Sequence, residues 1–222
     1  MPQIGQLYIV AVPIGNYRDI TLRALDILHS VDLIICEEKK EGQTLLKRLG
    51  ITREVICLNE HNEIEQAPMI LAQILQGQSM ALISDCGTPV FSDPGHQLIQ
   101  GAVEYGIQVI PIPGPSSLMA ALSILDFKLD HFVFAGFLPR ESEDRRRKLK
   151  YYRSLRMPVV LMDAPYRLSR LVDECILIFG KDHRATLTID LTLSGESILR
   201  DSLFNLKRIV GAKKAEFVLI LH

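Results

Sequence analysis

Between Leu7 and Ile112 the chain repeats one unit: a short apolar run, a break in Gly, Pro or polar residues, then a stretch in which apolar side chains recur at helical spacing. The runs are Leu7 to Val12, Leu33 to Cys36, Val55 to Leu58, Ala81 to Ser84 and Val109 to Ile112, with helical patterns opening near Thr21, Gln43, Ala67 and Gly95. Runs this apolar have no side suited to water, so they predict strands buried on both faces. A helix-length crossover returns the chain to the same end of a sheet, which makes such strands parallel and places helices over both faces. The expectation is a parallel five-stranded sheet, with the Asp19 carboxylate accepting the free amides of the first helix.

Three of the runs end alike. Leu7 to Val12 leads into Pro13-Ile-Gly15-Asn16, Val109 to Ile112 into Pro113-Gly-Pro-Ser-Ser117, and the fourth run into Ser84-Asp-Cys-Gly-Thr-Pro-Val-Phe-Ser-Asp-Pro-Gly95. Gly permits positive φ and close backbone approach, and Pro stiffens the turn, so such loops are pre-shaped and lose little entropy when a ligand arrives. In open α/β sheets ligands bind at the carboxyl ends of strands. Any one of these loops reads as an ordinary strand-to-helix turn. Three together, one carrying Asp85, Thr88, Ser92 and Asp93, read as one composite pocket.

After Ile112 the pattern changes. An Ala-rich helix, Leu118 to Leu125, is followed by strand-like stretches at Phe132 to Phe137, Val159 to Met162, Ala185 to Leu191 and Phe217 to Leu221, with a helix from Arg167 to Phe179. Strands with fewer helices between them predict a second α/β domain with a mixed sheet, giving domains of 1–113 and 114–222.

The 25 basic and 26 acidic residues nearly cancel, so any binding to nucleic acid must rest on a local patch. Cys36, Cys57, Cys86 and Cys175 form no CxxC pair, and no His lies at zinc-ligand spacing, so they read as reduced thiols of a cytoplasmic protein with no metal site. No segment approaches the ~20 apolar residues of a membrane span.

The densest basic stretch runs Arg145-Arg-Arg-Lys-Leu-Lys150 and on through Tyr151, Tyr152, Arg153 and Arg156. It reads either as a solvated helix or as an RNA-tracking one, in which Arg145, Arg146, Arg147, Lys148 and Lys150 meet phosphates while the tyrosines stack on bases. Neither GxGxxG nor GxxxxGK[ST] is present, so phosphate cradling has no motif behind it. A ligand with adenine and ribose but no phosphate fits carboxylates such as Asp85 better.

Five ordered motifs carry a resemblance. Val12-Pro-Ile-Gly-Asn with Asp19-Ile-Thr-Leu-Arg-Ala-Leu, Ser84-Asp-Cys-Gly-Thr-Pro with Ser92-Asp-Pro-Gly, Pro111-Ile-Pro-Gly-Pro-Ser, and Phe134-Ala-Gly-Phe-Leu-Pro-Arg140 resemble the tetrapyrrole methylase superfamily of S-adenosylmethionine-dependent methyltransferases. Within it the sequence is most similar to the branch that methylates a cytidine 2′-hydroxyl in small-subunit ribosomal RNA. The resemblance implies two α/β domains in a homodimer, with the cofactor in the cleft between the domains. It places the methionine end near Pro13, Gly15 and the loop of Asp85, Gly87, Thr88, Phe91 and Ser92, with Ser116 and Ser117 in contact. The adenosine part falls to Met162, Asp163, Asp190 and Ala215.

The chain also departs from that branch. Ala-Glu-Asp-Thr-Arg is here Cys36-Glu-Glu-Lys-Lys40, Glu-Ser-Pro-His-Arg is Asp163-Ala-Pro-Tyr-Arg167, and Arg-Glu-Leu-Thr-Lys is Ile189-Asp-Leu-Thr-Leu193, without its lysine. Two other readings therefore stand beside ribosomal RNA: a small-molecule or tetrapyrrole methyltransferase, and a cofactor-binding paralogue without catalysis. For a hydroxyl acceptor, proton-accepting candidates are Glu37, Glu38 and His61, which follow the second and third strands on one edge. His61 also reads as a plain loop residue bonded to its neighbours.

Overall fold

The computed structural model describes residues 4–222. They fall into two compact units, one ending at Ser116 and the other running from Ser117 to His222.

The first unit is built on five parallel strands: β1 (Gln6–Val10), β2 (Leu33–Cys36), β3 (Glu54–Cys57), β4 (Met80–Leu82) and β5 (Gln108–Ile112), in the order β3-β2-β4-β1-β5. Side chains alternate between faces along a strand, and here the two faces have separate cores. Leu33, Ile35, Met80 and Leu82 pack with Ala67, Ile70, Leu71 and Ile74 of α3 (Glu63–Leu75) and Leu98 and Ala102 of α4 (His96–Glu104). Ile34, Cys36, Ala81 and Ile83 pack instead with Ala24 and Leu28 of α1 (Leu22–Ser30) and Leu45 and Leu46 of α2 (Lys39–Arg48). Each fully buried side chain of this size contributes about 1.5–3 kcal/mol.

The cap of α1 differs from expectation. Asp19 lies in a single 3₁₀ turn, Tyr17–Asp19, and the residue that takes the free amide is Thr21, whose Oγ1 accepts from Ala24 N at 3.1 Å. Thr21 has the extended backbone a cap requires. Helix α4 has no local cap; Glu63 Oε1 accepts from Gly95 N at 3.0 Å and from Gln97 N at 2.8 Å, a carboxylate set on the positive end of the helix.

The second unit holds a mixed sheet of β6 (Val133–Gly136), β7 (Val159–Met162), β8 (Arg184–Ile189), β9 (Ser197–Ser202) and β10 (Phe217–Leu221), ordered β6-β7-β10-β8-β9, with only β6 and β7 parallel. Helices α6 (Ser142–Ser154), α7 (Leu168–Phe179) and α8 (Leu203–Val210) cover one face, and α5 (Ser117–Leu122) the other. The β9 and α8 pair is an addition to the elements the sequence predicts. Among the described residues no helix is long and apolar enough to cross a membrane.

Candidate active site

The strand order puts β4, β1 and β5 side by side, so the three Gly- and Pro-rich loops leave neighbouring strand ends. They are stitched to one another. Val12 N donates to Gly87 O at 2.8 Å and Gly87 N returns to Val12 O at 3.1 Å, Ala11 N donates to Ile112 O at 3.1 Å, and Thr88 Oγ1 donates to Pro115 O at 3.2 Å. Ser84 Oγ closes the turn inside its own loop by donating to Cys86 O at 3.0 Å.

Gly87 is required where it stands: its φ is +78°, and a Cβ there would lie 3.3 Å from Ile14 Cγ2. Val90 has a φ of 73°, which a β-branched residue adopts only when its surroundings impose it. Its side chain packs into the α3/α4 core, while Phe91 and Ser92 beside it are exposed. A pocket of about 130 Å3 opens among Pro13, Gly15, Tyr17, Glu41, Asp85 and Cys86. A larger groove of about 690 Å3 lies elsewhere, between α3 and α4, lined by Ala67, Pro68, Leu71 and Tyr105 and without the loops' polar groups.

Around these loops carboxylates crowd together. Burial first, then the charges of Asp85, Asp93, Glu38 and Glu60, pushes the Glu37 carboxyl above its ordinary pKa. Burial and Asp85 push Asp93 up. Asp85 is raised by burial and by Glu38 and Glu41, against the amide of Glu38, which donates to Asp85 Oδ1 at 3.4 Å. Glu37 is half-buried and Glu38 exposed. Cys36 next door is a buried thiol pushed up to about 12, chiefly by burial, and is no nucleophile at neutral pH. His61 does not join this group: its side chain is 86% exposed and its ring faces Glu60 at 3.6 Å. The Asn59 and Asn62 side chains bond the local backbone instead.

In the second unit a separate set of candidates shares one sheet edge. Met162 ends β7, Val218 of β10 is its partner, and Phe217 pairs with Ile189 of β8, so Met162–Asp163, Ala215–Glu216 and Asp190 come from adjacent strands. Asp163 is buried. Its Oδ1 accepts from Ala164 N at 2.8 Å and faces Arg167 Nη1 at 2.9 Å, while its Oδ2 is buried with no hydrogen-bond partner. Burial raises its pKa, against the Ala164 amide, Arg167 and Arg145. Asp190 sits at a φ of 50°, its amide bonded to Glu216 O at 2.8 Å.

One expected RNA contact is overturned. Arg145 is 2% exposed and lies inside the second unit, where it pairs with Glu174 of α7. Its neighbours on the helix turn outward: Arg146, Arg147, Lys148, Lys150 and Tyr151 are exposed. Sequence reasoning also missed Arg167, whose guanidinium holds the carbonyls of Leu138 and Pro139 as well as Asp163. Among the described residues no group of His, Cys, Asp and Glu is placed to hold a metal ion.

The model of the family described as Tetrapyrrole (Corrin/Porphyrin) Methylases matches residues 6–207. The chain belongs to this family. Among tetrapyrrole methylase relatives, the Escherichia coli O157:H7 protein named ribosomal RNA small subunit methyltransferase I is 38% identical over 222 residues, spanning 98% of this chain and 78% of its own. The Xylella fastidiosa (strain Temecula1) protein of the same name is also 38% identical, over 98% of this chain and 81% of its own. A crystal structure of diphthine synthase superposes with a TM-score of 0.74 at 18% identity, covering 98% of this chain and 89% of that one, a likeness of fold.

Proposed function

We propose that this tetrapyrrole methylase family member transfers a methyl group from S-adenosylmethionine to the 2′-hydroxyl of a cytidine ribose in small-subunit ribosomal RNA. The supporting observation is the match to proteins named ribosomal RNA small subunit methyltransferase I, which runs over 98% of the chain and so includes both sets of candidate residues.

The residues fit the cofactor on chemical grounds. The loops Pro13–Asn16, Ser84–Gly95 and Pro113–Ser117 contain no Lys or Arg. A cationic methionine head offsets the burial and the neighbouring negative charge that raise Asp85 and Asp93, whereas a polyphosphate would add to that charge. In the second unit, the buried Asp163 Oδ2 lacks a donor, which a ribose hydroxyl or an adenine amine supplies. When bound, the cofactor supplies an electrophilic methyl group on a sulfonium. In this assignment Pro13, Gly15, Asp85, Gly87, Thr88, Phe91, Ser92, Ser116 and Ser117 hold the methionine portion, and Met162, Asp163, Asp190 and Ala215 the adenosine. Glu37 accepts the hydroxyl proton, because its raised proton affinity brings it closer to neutral pH than an ordinary carboxylate. Arg146, Arg147, Lys148 and Lys150 meet RNA phosphates, the working form is a homodimer, and the compartment is the cytoplasm.

The test is incubation of the protein with radiolabelled cofactor and small ribosomal subunits from cells lacking it, followed by mapping of the label. Label on a cytidine ribose is the expected result. Tight cofactor binding with no label on subunit or RNA would overturn the assignment of the acceptor.

A further inference from the structure

At the end of the second sheet opposite Met162 and Asp163 lies a pocket of about 370 Å3 that none of the assignments above uses. Arg153 reaches it from the last turn of α6, Arg156 from the turn that follows, Phe179 from the end of α7, His183 from the turn before β8, and His222 from beyond β10. Among the described residues neither arginine has a carboxylate within ion-pair distance. Arg153 uses one N–H on the Ile178 carbonyl. Arg156 is held at a φ of 51°, a left-handed conformation at which a long charged side chain is unusual.

The imidazole of His183 is fixed in place. It is tilted against Phe179 with 5.1 Å between ring centroids, and it hydrogen-bonds the backbone of His222. Its Nε2 is buried without a hydrogen-bond partner. Burial, then the charge of Arg153, holds the ring below its ordinary pKa, against the hydrogen bond to the His222 backbone. Lys181 and Asp182 precede His183 in the same turn, and Asp126 and Arg184 act on His222, whose own Nε2 faces Thr186 Oγ1 at 2.9 Å. The Arg153 and Arg156 guanidinium groups, without carboxylate partners, form a donor set for a tetrahedral oxyanion, and the His183 ring beside them senses its charge.

We propose that this pocket binds a phosphate group. Resting on the ribosomal RNA assignment, that phosphate is a backbone phosphodiester, reached by continuing the exposed cations of α6 past Tyr151. A free phosphorylated compound is the other source of the same chemistry.

The test uses the full chain with inorganic phosphate as the probe, ionic strength held constant with sodium chloride, and imidazole NMR beside calorimetry. A phosphate held by the two arginines beside the ring favours its protonated form, so phosphate moves the His183 titration midpoint to higher pH. Arg156→Gly, which suits the positive φ, weakens phosphate binding about tenfold, the loss of one charge-assisted bond. Arg156→Lys restores part of it, and thermal unfolding and cofactor affinity stay as in the wild type. A His183 titration that phosphate leaves unmoved, with Arg156→Gly binding phosphate as the wild type does, overturns the proposal.

The second arm measures affinity for protein-free small-subunit ribosomal RNA against salt. A log–log slope shallower by about 0.7–0.9 in Arg156→Gly assigns the site to an RNA phosphate. An unchanged slope, together with lost phosphate binding, assigns it to a free phosphorylated compound. Failure of the RNA assignment itself reads out separately, as wild-type protein that neither binds nor methylates the RNA while the phosphate titration stands.

Discussion

Arg145 Nη2 donates to Glu174 Oε1 at 2.7 Å inside the second unit, and Arg145 Nη1 holds the carbonyls of Pro139 and Arg140 at 2.9 and 2.7 Å. Ser142 Oγ adds a 2.8 Å bond to the same carboxylate. The pair therefore ties α6 to α7 and fixes the loop after β6. Removing one member leaves the other charge buried and uncompensated, which costs more than the pair itself contributes.

Arg145→Ala is accordingly expected to lower stability by about 3–5 kcal/mol, with RNA affinity per folded molecule unchanged. Replacing both partners together, as Arg145→Met with Glu174→Leu, recovers most of that loss. Urea unfolding of the two variants beside the wild type measures it. The triple variant Arg146→Ala, Arg147→Ala, Lys150→Ala gives the opposite pattern: stability within about 0.5 kcal/mol of wild type, and weaker RNA binding with a shallower salt dependence.

Stability should depend on pH in two opposed ways. Burial alone would raise the Glu174 pKa, but the bonds from Arg145 and Ser142 override it and hold the carboxyl below its ordinary value. A folded-state pKa below the unfolded one gives stability that is present above the unfolded value and lost as pH falls through the folded one. Glu37, Asp85 and Asp93 are raised, so each favours the folded state at low pH and loses that contribution as pH rises through its folded value. Unfolding midpoints from pH 3 to 8 should therefore show Glu174→Gln flattening the acid limb. Glu37→Gln should stabilise the first unit near neutrality.

Much of this was legible in the sequence for reasons that can be named. The βα alternation gave the parallel sheet, and the loop chemistry marked its carboxyl edge. The order that makes β4, β1 and β5 neighbours is set by long-range pairing and leaves no local trace. Strand β9, Ser197–Ser202, escaped because as an edge strand it carries polar residues on both faces. Helix α8 did carry a signal, with Leu203, Leu206 and Val210 buried at helical spacing. Arg145 looked like its cationic neighbours. The clue lay on α7, where Glu174 falls on the face of Leu171, Cys175 and Ile178 and so needed a buried counter-charge. His61 drew notice through its residue type, although its exposure lets water satisfy it.

Activity should separate the proton-accepting candidates. If Glu37 takes the hydroxyl proton, Glu37→Gln lowers kcat by about 10²–10⁴-fold, with cofactor affinity by calorimetry within a few fold of wild type. His61→Ala leaves kcat within about twofold, because its exposed ring faces only Glu60. A Glu37→Gln variant that keeps kcat within about twofold of wild type would show that Glu37 is not the proton acceptor.

Gly87 offers the sharpest separation of backbone cost from ligand cost. Alanine at φ +78° incurs about 1–2 kcal/mol of left-handed strain. Its Cβ would also press on Ile14 at 3.3 Å, prising the Val12–Gly87 bridge that joins two of the three loops. Gly50 is the control: its φ is +72°, yet nothing lies within 4 Å of where its Cβ would go. Gly50→Ala should therefore lose only the left-handed strain in urea and Gly87→Ala at least as much, while only Gly87→Ala loses cofactor affinity, by more than about tenfold, equivalent to about 1.4 kcal/mol. Equal cofactor affinities in the two variants would mean that the loops joined by the bridge do not hold the methionine portion.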